Sequence, residues 1–244
     1  GTCGDNLTWT LVDSVLTISG TGAMADYTSA SDAPWYKYRS SIQSVIITDG
    51  VTNIGDIAFS GCSSLTSITI PNSVTSIEGG AFKGTGIYTN AANWKNGALY
   101  INNCLIKVKG DFMGDYTIKA GTRLIAGSAF YGCSSLTSVT IPNSVTSIGE
   151  WAFVGCSSLT SVTIGNSVKS IGNYAFAECS SLTSVAIPNN VTSIEYGAFM
   201  DCTSLTSIKY TGTKEQWNKI ELSNFWAKGS GIEVILCTDG EIRL

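Results

Sequence analysis

An interval of 23 residues recurs through most of this chain and leaves few folds open to it. An isoleucine stands four places before an Ala-Phe pair at Ile54, Ile77, Ile125, Ile148, Ile171 and Ile194, with successive gaps of 23, 48, 23, 23 and 23 residues. A fixed period of about 20 to 29 residues marks a solenoid, in which each unit is too small to bury its own core and stacks on its neighbours. The gap of 48 is 23 plus 25, so one expanded unit is expected inside the array.

Of the 244 residues, 43% are hydrophobic and only 13% charged. A substantial core is therefore available, and serine, threonine and glycine supply a polar but weakly charged surface. The net charge of −4 and a pI near 4.8 argue against nucleic acid or an anionic membrane as partner, since both need a basic patch. No apolar run approaches the roughly 20 residues of a membrane span. No signal peptide is visible, and Gly1 is expected to follow a removed targeting segment or a truncation.

The two ends depart from the period. Residues 1–41 open with strand-like runs at Leu7–Leu11 and Val15–Ser19, a predicted hairpin, and Pro34–Tyr38 reads as a short helical turn. Residues 213–244 begin with a capping box, Thr213-Lys214-Glu215-Gln216, then a strand at 233–236 and a turn at Asp239-Gly240. These segments are expected to be β-rich caps on a repeat domain spanning 42–212. The expanded unit, about 86–112, carries two strand-like runs around Asn102-Asn103, a residue type that tolerates the positive φ of a tight hairpin. After it the period resumes, with Met113, Tyr116 and Ile118 placed inward.

Within a unit, Val139 and Ile141 alternate with Ser138 and Thr140, the period of a strand with one face buried. Pro142 closes the strand because it has no N–H to give. Val145, Ile148, Ala152 and Phe153 then face inward from the return limb. Stacking puts each position in a ladder, with strands about 4.8 Å apart.

The pattern Leu-x-x-Val-x-Ile-Pro-x-x-Val-x-x-Ile-x-x-x-Ala-Phe-x-x-Cys resembles the leucine-rich repeat of the BspA-like class of bacterial surface proteins. It is matched at Leu136–Cys156, Leu159–Cys179 and Leu182–Cys202, with Thr85 for cysteine and Gly165 for proline as departures. The resemblance implies an α/β repeat, a right-handed leucine-rich-repeat solenoid with a parallel β-sheet on one face and short irregular or helical return limbs. It implies a secreted or cell-surface location and adhesion, and neither a catalytic residue nor a fixed ligand.

The residues themselves offer little to catalysis. There is no histidine, which removes Ser-His-Asp and Cys-His nucleophiles and the commonest metal ligand. Five of eight cysteines, Cys62, Cys133, Cys156, Cys179 and Cys202, hold one repeat position, which points to packing; no C-x-x-C spacing marks a zinc site. Cys3, Cys104 and Cys237 lie outside that ladder, and a bridge among them is left open. No catalytic residue, cofactor or metal is assigned. The most suggestive surface is the outward strand row, Ser67 and Thr69, Ser138 and Thr140, Ser161 and Thr163, Ser184, and Lys209, whose hydroxyls offer many weak hydrogen bonds. Trp151, at a variable place on a return limb, is the alternative contact. The expected function is a non-enzymatic surface module that recognises a host or microbial protein or glycan. A structural spacer is the alternative, and a carbohydrate-active enzyme a distant third.

Overall fold

The computed structural model describes residues 1–244, which form two compact units, 1–102 and 103–244. In the first, strands Leu7–Val12 and Val15–Gly20 make the predicted hairpin, with Asp13 and Ser14 both at positive φ in its turn. The hairpin continues into parallel pairing with Ser44–Ile47 and then Ser67–Thr69. The turn near Pro34 is a 3-10 helix at Tyr36–Tyr38, and Trp35 stacks on Phe59, which stacks on Phe82, at 5.6 and 5.8 Å between centroids. In the second repeat Thr85 stands where the others have cysteine. Its buried hydroxyl donates to the Phe82 carbonyl and accepts from the Tyr88 N–H, capping the helix Gly86–Thr89. A thiol is a poor acceptor, so threonine at this one position is what lets the chain leave the coil for the expanded unit.

The second unit contains the regular coils. Each has a long strand, Gly114–Thr117, Leu136–Thr140, Ser161–Thr163, Ser184–Ile187 and Ser207–Tyr210, paired in parallel with no change of register after the first pair. A terminal hairpin, Val234–Cys237 with Gly240–Arg243, extends this sheet. A two-residue strand follows in each coil, such as Ser147–Ile148, Ser170–Ile171 and Ser193–Ile194, again pairing in parallel. A third limb is also a ladder. The N–H groups of Trp151, Phe153 and Gly155 donate to Asn173, Ala175 and Ala177 one coil on, at 2.9, 2.7 and 3.1 Å. For alternate N–H groups to point the same way, the residue before Ala-Phe and the one before cysteine turn left-handed, as at Trp151 (φ 54°) and Gly155 (φ 70°).

Of the irregular or helical return limbs expected above, the helical form does not occur. The two α-helices, Gly86–Thr89 and Lys214–Trp217, lie outside these limbs, so the fold is a β-solenoid rather than an α/β repeat. The 23-residue coil has room for turns and a short strand, and its glycines suit the left-handed steps better than they suit a helix. Met113 is a second correction: it is 76% exposed, because the register slips between Gly114 and Asp115 and Phe112 instead packs on Tyr116. The other inward positions hold. Phe130, Phe153, Phe176 and Phe199 are fully buried and stacked at 4.6, 4.9 and 5.4 Å, and Gly165 replaces proline where a Cβ would run into the Pro142 carbonyl.

All eight cysteines are free. The ladder thiols of Cys156, Cys179 and Cys202 donate to the carbonyls of Phe130, Phe153 and Phe176 one coil back, at 3.3, 3.3 and 3.0 Å. A thiol-reactive dye should therefore label only half-buried Cys237 quickly in the native protein, and all eight positions after denaturation. Fast labelling of several native thiols would remove the packing role of the ladder.

Candidate functional site

Two surfaces of the second unit present ordered rows of side chains. The first is the strand row. Register places Asp115, Ser138, Ser161 and Ser184 in one column, and Thr117, Thr140, Thr163, Ala186 and Lys209 in the next. Thr140, Ser161, Thr163, Ser184 and Lys209 are exposed, while Ser138 is half-buried because its hydroxyl donates to Asp115 Oδ1 at 2.7 Å. That bond and a second from Thr137 hold the Asp115 carboxyl below its ordinary range. The row thus runs from an anion to a cation with neutral hydroxyls between. Ser67 and Thr69 are likewise exposed on the sheet of the first unit. Sequence reading missed a function of the neighbouring threonines: Thr160 and Thr183 donate to the carbonyl of the equivalent residue one coil back, at 3.0 and 3.4 Å. Those hydroxyls stitch coils together and have only acceptor capacity left for a ligand.

The second surface lies on the third limb. Trp151 is 43% exposed and lines a groove of about 260 Å³ together with Tyr131, Val154, Tyr174, Ala177, Glu178, Met200 and Asp201. Trp151, Tyr174, Glu178 and Asp201 all have φ between 52° and 59°. In the column of Trp151 and Tyr174 other coils carry Ile57, Gly80, Ser128 and Gly197, whereas in the column of Glu178 and Asp201 they carry only glycine, at Gly61, Gly84, Gly132 and Gly155. Left-handed backbone costs a side-chain-bearing residue roughly 1–2 kcal/mol. The Tyr174 ring is seated by Gly197, where a Cβ would come within 2.7 Å of it, and its edge meets Tyr196 at 5.3 Å. No sequence pattern announced this groove, but one signal was available: the column before cysteine is glycine until Glu178 and Asp201 break it.

The BspA type leucine rich repeat region is matched in six copies, over residues 33–105 and 111–229. The chain belongs to this family. Among solved structures, a leucine rich cell surface protein from Faecalibacterium prausnitzii A2-165 is 30% identical, with 74% of this chain and 62% of that one covered and a TM-score of 0.43. A leucine-rich repeat protein from Eubacterium ventriosum is 21% identical over 98% of both chains, with a TM-score of 0.38. The pneumococcal vaccine antigen PcpA is 14% identical over 95% of this chain and 98% of its own, with a TM-score of 0.42. No curated protein matches.

In this BspA-type chain the groups best suited to nucleophilic chemistry are held inert. Burial pushes the Cys62 and Cys133 thiols up to about 11 and those of Cys156 and Cys202 up to about 12. Burial also lowers the Lys107 ammonium, but its Nζ is engaged by the Ser128 carbonyl at 2.6 Å. A protonated thiol is a weak nucleophile, so the cysteine ladder is left a packing role.

Proposed function

We propose that this protein is a non-enzymatic binding module of the bacterial surface or extracellular space. On this reading it contacts a host or microbial surface protein or glycan through the outward strand row. Residues 1–41 and 213–244 then serve as covers for the ends of a right-handed array over 42–212, with the expanded unit near 86–112. The observation that carries the reading is the register of Ser138, Ser161 and Ser184 beside Thr140 and Thr163. Neutral hydroxyls repeat from strand to strand on a sheet whose opposite face is fully packed. Such a surface supports many weak hydrogen bonds acting together, and its neutrality gives specificity without charge steering.

The test is the double variant Thr140→Glu/Thr163→Glu. Two exposed substitutions, with like charges facing one another on adjacent strands, should cost no more than about 1 kcal/mol of stability. A carboxylate in the middle of a neutral contact is desolvated without a partner, so retention on the glycan or protein found by array screening should be lost. Silence of the unmutated protein across both arrays would leave a structural spacer. Retention by the double variant equal to that of the parent would remove the strand row as the contact.

A further inference from the structure

We propose that the groove on the third limb is a separate site, which receives a cationic side chain, lysine or arginine, from a partner protein. Two carboxylates, Glu178 and Asp201, line it together with the exposed ring of Trp151 and the half-buried ring of Tyr174, and no cation is among its lining residues. Carboxylates and ring faces share one preference, for positive charge: the first through Coulomb attraction, the second through the negative face of the ring. The chain itself displays this preference at either side of the groove. Lys107 Nζ lies over the Tyr131 ring at 6.0 Å, and Lys228 Nζ lies over the Phe225 ring at 5.2 Å. Trp151 and Tyr174, between these two pairs in the chain order of the coils, carry no ammonium of their own.

Size narrows the occupant. About 260 Å³ lies just under the roughly 300 Å³ at which small-molecule pockets begin, and suits one long side chain. A neutral sugar would leave Glu178 and Asp201 desolvated without a counter-charge, whereas an alkylammonium or guanidinium neutralises them. Backbone conformation argues that the two carboxylates serve a contact. At the step before cysteine the preceding coils use glycine, which satisfies the ladder with no penalty, so glutamate and aspartate are not required there by the fold.

The experiment is calorimetric titration of the full chain with tetralysine and tetra-arginine, with ε-acetylated tetralysine and cellotetraose as neutral probes. Tetralysine or tetra-arginine should bind one site, more weakly at about 300 mM than at about 50 mM salt. The neutral probes should not bind. Trp151→Gly should weaken binding by about tenfold, the size of a cation–π contact. It should leave the melting temperature unchanged or raised, because glycine accepts the left-handed step. Glu178→Gln/Asp201→Asn keeps the shape, removes the charge, and should weaken binding by at least as much. The Thr140→Glu/Thr163→Glu variant should bind the cationic probes as the parent does, which separates this site from the strand row. Absence of binding by both cationic probes, or affinity untouched in the Trp151 and the Glu178/Asp201 variants, overturns the proposal. So does cellotetraose binding that depends on Trp151, which would assign the groove to a neutral glycan.

Discussion

Phe153→Ala should destabilise the protein by roughly 3–5 kcal/mol, the range for truncating a buried phenylalanine. Phe153 is fully buried and sandwiched between Phe130 at 4.6 Å and Phe176 at 4.9 Å, nearly parallel to both. Removing it leaves a gap in a column whose members are fixed by backbone hydrogen bonds on the same limb, so the neighbours cannot collapse into the space. Its backbone N–H donates to Ala175 at 2.7 Å and holds the coil spacing whatever the side chain. In a stack of this kind the loss weakens both flanking interfaces, because stability is a sum of coil and nearest-neighbour contributions. For a chain of this size each kcal/mol shifts melting by about 2–4 °C, so a fall of about 10 °C is expected. Scanning calorimetry of Phe153→Ala decides the matter; a melting temperature equal to the parent's would mean that the ladder register is wrong.

Alkali should unfold the protein through its cysteine ladder. A thiol whose pKa is raised on folding holds its proton more tightly in the folded state than in the unfolded one. Its contribution is nil below the unfolded value near 9 and removes stability as pH rises from there towards the folded value. Burial sets the folded value at about 12 for both Cys156 and Cys202. Each thiol therefore withdraws about 1.4 kcal/mol per pH unit across that window, or about 4 kcal/mol at its upper end. Cys179, still more deeply enclosed, acts in the same direction. Urea midpoints measured from pH 8 to pH 11 should fall steeply for the parent and less steeply for Cys156→Ala/Cys202→Ala. The variant starts slightly lower at pH 8, having lost two sulfurs from the core. Parallel slopes in the two proteins would show that the ladder thiols do not control alkaline stability.

The coil was legible in the repeat period. A 23-residue period in Leu, Val, Ile, Ala, Phe and Cys cannot be satisfied unless each position stacks on its copy. The buried columns at Phe130, Phe153, Phe176 and Phe199 follow from that alone. Local chemistry determined the Asp13-Ser14 turn and the capping box at Thr213, since both depend on residues within four places of one another. Stacking settled what depends on the distance between coils. It turned the return limbs into ladders rather than helices, because the third limb satisfies its N–H groups on the next coil and not within itself. It set Met113 outside through a one-residue slip that no periodicity records. It also gathered Trp151, Tyr174, Glu178 and Asp201, residues spread over 51 positions of sequence, into one groove. Stacking makes neighbours of residues about 23 apart, and a left-handed step aims each of them outward. Hydrophobic pattern reports burial, and so it is silent about residues that meet at the surface.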